Sequence, residues 1–499
     1  MPTLDDTRTA EPADARSTTE PAAGAAILDV LRAAAGTYGD KPAVVDSTGA
    51  GYSYREFLAA IEAGAAWFRD RAPRPPVMFV PGNGPDDVVA LYAAITAGSV
   101  PLVADKTWTA EECARIAEAT GASAVLASVD SALDRTTLPA TDSPWPKLWW
   151  AELGPTRRNE RLDGIGFGRF TSGTTGMPRC LGFTQQAAVN AANAWRRSAE
   201  LTDRDTVLCL ATLNNGLAFN TSLLSVFLSG ATLVLHAGRP IPSSIARSIR
   251  KVQPTVLTAF PFVFDGLVRG SSDIGRGLRL SVSSAAPLSP ETADAWQALT
   301  GLRICDYYGL AEVGPVTFND SSAPGSVGVP LHGVEIVIEP VAEVDEADGR
   351  GRVLVRTASM AARYLDEREP FFADSLTDEG FLRSKDLGRL DEAGRLWLVG
   401  RLGQVVNVAG RKIDPTEVAN VIRELPGVTE VVVRGEQSAS GELLAAYVES
   451  TTVDRAAVVA HCRGRLAVYK LPQRITIAGS LPRNAAGKVN SSALSTIGE

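Results

Sequence analysis

The chain has 499 residues, 45% hydrophobic and 21% charged, a globular composition with enough apolar mass for several cores. Its 49 basic and 57 acidic residues leave a formal charge of −8 with no basic run or stripe, so no nucleic-acid partner is expected. No apolar stretch reaches the roughly 18 residues of a membrane span, no secretory signal is visible, and the five scattered cysteines give neither a disulfide framework nor metal-ligand spacing. A reduced, cytoplasmic protein without membrane contact is expected.

Residues 1–24 are rich in Ala, Thr, Pro and acids, cannot bury enough surface to fold, and read as a disordered tail. From Ile27 onward helical and strand patterns alternate. Phe57–Phe68 and Val88–Ala97 carry apolar residues at helical spacing, while Val77–Val80 and Ala124–Ala127 read as short buried strands. Leu233–Leu235, Val256–Leu257 and Leu278–Val282 continue the alternation, which predicts an α/β region of mainly parallel sheets. After residue 330, Val334–Ile338, Arg352–Val355 and Arg395–Val399 read as antiparallel strands, with turns at Asp348-Gly349 and Glu392-Ala393-Gly394. A last unit predicts a helix over Glu417–Leu425, strands over Val428–Arg434 and Leu443–Val448, and a helix over Arg455–Leu466. The predicted organisation is a large N-terminal region (25–401) that includes a small β subdomain, then a small mobile α+β domain (402–499).

Phe170-Thr171-Ser172-Gly173-Thr174-Thr175-Gly176-Met177-Pro178-Arg179 packs hydroxyls and glycines between an apolar strand end and a helical stretch starting near Gln185. Glycines let backbone N–H groups approach an anion, Ser and Thr hydroxyls add donors, and Arg179 adds charge, so a polyphosphate is the expected ligand. It is not a P-loop, because the Gly-Lys-Ser/Thr ending is absent. A flexible Ser/Thr/Gly surface loop is the plain alternative.

This segment resembles the phosphate loop of the adenylate-forming superfamily, which contains acyl-CoA synthetases, nonribosomal peptide synthetase adenylation domains and luciferases. The resemblance runs in order over nearly the whole chain after residue 25. Ser283-Ser284-Ala285-Ala286-Pro287-Leu288 is similar to the family's strand end beside adenine, and Asp306-Tyr307-Tyr308-Gly309-Leu310-Ala311-Glu312 to its Tyr-Gly-x-Thr-Glu motif. Gly325–Pro330 matches the next family turn, and Arg383-Ser384-Lys385-Asp386 stands at Thr-Gly-Asp. Asn407–Glu417, with Gly410 and Lys412, resembles the loop of the second half-reaction, and Pro482–Val489 the C-terminal lysine loop. The resemblance implies ATP, Mg²⁺ and CoA as ligands. Tyr308 would stack on adenine, Asp386 would accept from both ribose hydroxyls, and Arg401 would lie near the ribose. Glu312 would hold Mg²⁺, a hard ion suited to a carboxylate. Thr174 and its neighbours would grip the leaving pyrophosphate, Lys488 would bridge carboxylate and α-phosphate, and Gly403 would be the hinge. Taken singly, Asp386 reads as a turn acid and Lys488 as a solvated charge. The ordered set gives them meaning.

The chain also departs from the family pattern. Pro178-Arg179-Cys180 replaces Pro-Lys-Gly, Gln185 stands where a histidine is usual, and no histidine occupies Leu213 or Asn214. Ala311 and Lys385 replace Thr and Gly. The implied acid pocket comprises Asn214–Asn220, Ser283–Ala286 and Tyr308–Val313, including Asn215, Ser284, Gly309 and Ala311. It has no acidic residue between Ala211 and Gly230 to hold an ammonium. A small or aromatic acid is therefore expected, passed as acyl-AMP to a phosphopantetheine thiol of CoA or of a separate carrier protein. Two alternatives use the same residues: nitrite activation for diazotisation of an arylamine, and nucleotide binding without turnover.

Overall fold

The computed structural model describes residues 26–71, 76–154, 159–171, 179–236, 241–270, 274, 277–284, 288–320, 323–341, 349–366, 372–402, 406–408, 411–413, 415–438, 441–463, 465–466, 470–483 and 489–497. The predicted tail, Ser172–Pro178, Ala285–Pro287, Asp348, Gly403, Gly410 and Lys488 lie outside the described residues.

Two large sheets carry the N-terminal region. In the first, Pro76–Val80 lies between Val100–Val103 and Ala124–Ser128, all parallel, and Val100–Val103 pairs in parallel with Phe167–Thr171. Antiparallel strands close both edges. In the second, Pro42–Asp46, Thr232–Leu235, Thr206–Cys209, Val256–Ala259, Leu280–Ser283 and Ile304–Leu310 run parallel in that spatial order. Their apolar runs are buried on both faces, as helix-covered parallel strands require. Helices Tyr54–Arg71, Pro85–Thr96 and Gln185–Ser198 contribute Phe57, Tyr92 and Trp195 to one core shared by both sheets. Phe57 lies 4.8 Å from Phe227, and Trp195 meets Tyr307 edge-on at 5.4 Å. The β subdomain is a four-stranded antiparallel sheet of Val334–Glu339, Gly351–Thr357, Leu382–Leu390 and Leu396–Arg401. The C-terminal part has its own core, formed by helices Pro415–Arg423 and Arg455–Arg463 on the strands Glu430–Ser438, Gly441–Glu449 and Arg474–Ala478. The α/β architecture is as the sequence predicts. The strand Arg474–Ala478 is an addition to it. Among the described residues no helix is long and apolar enough to cross a membrane.

One buried acid fixes the second sheet. Asp205 immediately precedes Thr206–Cys209, and its carboxylate accepts from Arg279 Nε and Nη2 (both 2.8 Å), from Thr255 Oγ1 (2.7 Å) and from Thr202 N (2.8 Å). Thr255 and Arg279 each precede a strand, so the acid pins the starts of three adjacent parallel strands. Burial alone would raise its carboxyl, but the Arg279, Thr255 and Thr202 bonds outweigh burial and hold it at about 2, against an ordinary 3.8. A depressed carboxyl stabilises the fold above its unfolded value and loses that contribution as pH falls from 3.8 toward 2. Arg279→Met is expected to cost about 2 kcal/mol, the size of a charge-assisted bond. Thermal unfolding against pH should show the deficit at neutrality and its disappearance between those two values.

Candidate active site

Thr171 and Arg179 face each other at the end of an antiparallel pair, Phe167–Thr171 with Arg179–Phe183. The predicted loop thus joins two strands. The strand Arg179–Phe183 intervenes before the helix, which begins at Gln185 with Thr184 as its cap. The sequence reading missed this strand because Arg179-Cys180-Leu181-Gly182-Phe183 is short and does not alternate. Its partner glycines are required: a Cβ on Gly182 would lie 2.6 Å from Leu365, and one on Gly168 would lie 2.6 Å from Leu102. The Arg179 guanidinium stands 5.9 Å from the centre of the Tyr364 ring.

The strand Ile304–Leu310 turns at residues 311–313 into Gly314–Asn319, which places Glu312 at a hairpin tip. That tip is braced from the β subdomain side. Ser359 Oγ donates to the Val313 carbonyl (2.9 Å) and Ala361 N donates to the Glu312 carbonyl (2.8 Å). Ala362 N and Leu365 N then bond Gly182 and Cys180 (2.8 Å each). One short segment therefore ties the carboxylate-bearing turn to the strand that follows the Ser/Thr/Gly-rich segment. Among the described residues no group of three His, Cys, Asp or Glu could hold a metal. A Mg²⁺ held by Glu312 alone would need to complete its shell with phosphate and water oxygens, as this hard ion commonly does.

Two residues of the β subdomain meet Tyr308 of this hairpin beside the turn. Asp386 and Arg401 are cross-strand partners, with Arg401 Nε 2.7 Å from Asp386 Oδ1. The Tyr308 hydroxyl donates to Asp386 Oδ2 at 2.5 Å. Burial raises this hydroxyl well above its ordinary value and the Asp386 carboxylate adds to the rise, so it remains a donor at neutral pH. Both carboxylate oxygens are engaged once, and each keeps a further lone-pair site for an incoming hydroxyl. Asp306 stands beside Ser283 in the parallel ladder, and burial pushes its carboxyl up to about 6. Ser284 follows at the strand end, half-buried.

The residues assigned to the acid have the following partners within the chain. Asn214 Nδ2 donates to Asp105 (3.0 Å). Asn215 Oδ1 accepts from Leu217 N (2.9 Å), which makes it the cap of helix Gly216–Ser222. Asn220 is buried and donates to the Tyr307 hydroxyl (3.1 Å). Tyr307 and Tyr308 alternate across the strand, so Tyr307 points to Asn220 and Tyr308 to Asp386. Gly309 sits at a register shift where a Cβ would meet the Gly314 carbonyl at 2.7 Å, and Ala311 is in the following turn. Lys412 pairs with Asn407 in a two-stranded ribbon. Sequence reasoning missed Arg169, a buried cation in the strand Phe167–Thr171. A lone charge inside Phe167-Gly168-Arg169-Phe170 was the available signal.

A family described as AMP-binding enzyme matches residues 31–365, and its C-terminal domain matches 417–488. The chain belongs to the AMP-binding enzyme family. The first span holds the strands around the loop and the Glu312 turn, and the second ends on Lys488. Similar curated proteins include a 7a-methyl-1,5-dioxo-octahydro-1H-inden-4-yl propanoyl:CoA ligase of Rhodococcus jostii, 30% identical over 64% of this chain and 62% of that one. A malonate–CoA ligase of Arabidopsis thaliana is 29% identical over 64% and 59%, and a 3-hydroxybenzoate–CoA ligase of Aromatoleum 27% over 65% and 65%. This AMP-binding enzyme therefore spans under two thirds of the length of these relatives. Solved structures that share its fold include two examples. ATP-bound MatB from Rhodopseudomonas palustris has a TM-score of 0.80 at 22% identity, over 94% of this chain and 98% of that one. The anthranilate CoA ligase AuaEII with anthranoyl-AMP has a TM-score of 0.80 at 20% identity, over 96% and 98%.

Proposed function

We propose that this AMP-binding enzyme activates a carboxylic acid with ATP, forming acyl-AMP and pyrophosphate, and then transfers the acyl group to a phosphopantetheine thiol. The observation that carries this reading is the convergence of Tyr308, Asp386 and Arg401 beside the Glu312 turn. A strand pair of the β subdomain and the hairpin of Tyr308 together present an acceptor pair flanked by an aromatic ring and a cation. Such a group suits a ribose with its base. The names of the CoA ligases it resembles make CoA the favoured acceptor.

In this reading Asp386 takes the ribose hydroxyls and Tyr308 lies against the base. The hydroxyls of Thr171–Thr175 and the charge of Arg179 hold the triphosphate. Mg²⁺ on Glu312 would neutralise the phosphate oxygens when bound. The acid attacks the α-phosphorus in line, and the chain supplies position and charge rather than a covalent intermediate. Lys488 stabilises the charge that develops between carboxylate and phosphate. The small domain, from about residue 402, then turns about Gly403 and brings the loop containing Gly410 and Lys412 to the thiol.

Neutral-side-chain acids should support ATP–pyrophosphate exchange better than α-amino acids. The segment 211–230 has no carboxylate for an ammonium, and an unpaired buried charge costs several kcal/mol. A panel of aliphatic acids, benzoates, cinnamates, amino acids and nitrite decides it. An α-amino acid as the best substrate would overturn this pocket reading.

A further inference from the structure

Arg169 is not explained by the nucleotide site. It is 6% exposed, its Nε has no acceptor, and no carboxylate pairs with its guanidinium among the described residues. Burial lowers it to about 10, and the Tyr307 hydroxyl partly opposes that fall. The guanidinium lies over Phe219 (5.0 Å) and near Phe183 (5.8 Å). A Cβ on Gly216 would stand 2.7 Å from its Nη2, so the glycine leaves room for the head group. Arg169, Asn220, Phe183, Phe219, Gly314 and Ser359 are among the residues that line a small cavity.

We infer that Arg169 receives a second carboxylate, at the far end of the acid being activated, so that the substrate is a short dicarboxylic acid. This rests on the acid-activation reading above and names its substrate class. An unpaired buried guanidinium is costly, and a neutral acceptor would leave its charge uncompensated. A carboxylate matches the guanidinium fork with two parallel bonds. Asn220 lines the same cavity, and its Nδ2, which donates one hydrogen to the Tyr307 hydroxyl, keeps a second hydrogen for an acceptor. Alternation puts Arg169 on the same strand face as Thr171, two residues or about 7 Å along the chain. That spacing fits two carboxylates held a few bonds apart, one at the phosphates and one on Arg169.

The test is ATP–pyrophosphate exchange with matched pairs: malonate and propionate, succinate and butyrate, isophthalate and benzoate. The wild type should favour the diacid of at least one pair by about 30-fold or more in kcat/KM, the size of a buried charge pair. Arg169→Met should collapse that ratio. Gly216→Ala, whose methyl displaces the guanidinium without removing it, should lower the ratio in the same direction and guards against loss of fold in the first variant. A wild-type ratio at or below one in every pair overturns the inference and leaves acid activation standing. So does a ratio retained in a folded Arg169→Met protein. Absence of exchange with every acid overturns the activation reading and this inference together.

Discussion

Replacing Lys488 by alanine is expected to slow pyrophosphate release about 10²–10³-fold, as for loss of one preorganised donor at a developing charge. Acyl transfer from a supplied acyl-adenylate should be spared. The stems of its loop are fixed on either side of residues 484–488. Arg483 and Val489 form an antiparallel bridge, and Asn490 N donates to the Pro482 carbonyl at 2.7 Å. Glu449 holds the incoming stem twice, accepting from Leu481 N (2.8 Å) and from Arg483 Nη2 (2.9 Å). Stems anchored this way move with the small domain, and in the proposed two-position mechanism Lys488 would act only in the position that serves adenylation. Two half-reactions that use two positions of that domain would feel the substitution unequally. Gly403→Pro should show the opposite asymmetry, because a fixed φ restricts rotation and leaves the adenylating arrangement accessible. Stopped assays of pyrophosphate release and of thiol acylation, run separately, read both variants. Equal damage to the two half-reactions in Lys488→Ala would remove the two-position mechanism.

The sequence was most legible where one physical signal dominated. Continuous apolar runs such as Val77–Val80 and Ala124–Ala127 became buried parallel strands because a helix-covered sheet admits little else. Helix Gln185–Ser198 begins where the helical stretch was expected, near Gln185. The strands Arg179–Phe183 and Arg474–Ala478 were not legible, since both are only five residues long: the first returns along Phe167–Thr171 as a hairpin, and the second pairs in parallel with Gly441–Glu449. In the site, Tyr308, Asp386 and Arg401 were legible through ordered motifs, and the structure brings them within hydrogen-bond reach. The side to which each tyrosine points needed the strand register. Asn215 shows the limit of a motif: one asparagine suits both a ligand and a helix cap, and the backbone N–H of Leu217 uses it as the cap. Arg169 was missed for the converse reason, because a single charge in an apolar strand has meaning only when its surroundings are known to lack a partner.

Asp386→Ala should raise the KM for ATP by roughly 150-fold, about 3 kcal/mol, the worth of two ribose hydroxyls bonded to a charged acceptor. Asp386 also holds Tyr308 and Arg401, so a loss of affinity alone would not separate ribose contact from disorder of its neighbours. The sugar separates them. Wild-type enzyme should discriminate against 2′-deoxy- and 3′-deoxy-ATP, since each removes one donor to the carboxylate. In Asp386→Ala that discrimination should vanish, the variant treating ATP and both deoxy analogues alike. Asp386→Asn keeps an acceptor for Tyr308 but loses the charge, and should fall between the two in KM while retaining part of the discrimination. Thermal unfolding of the three proteins without nucleotide monitors the neighbours. If Asp386→Ala still discriminates against the deoxy analogues as strongly as wild type, the carboxylate does not touch the ribose. The Tyr308–Asp386–Arg401 group would then be a brace between the Glu312 hairpin and the β subdomain, and the nucleotide would have to be placed elsewhere.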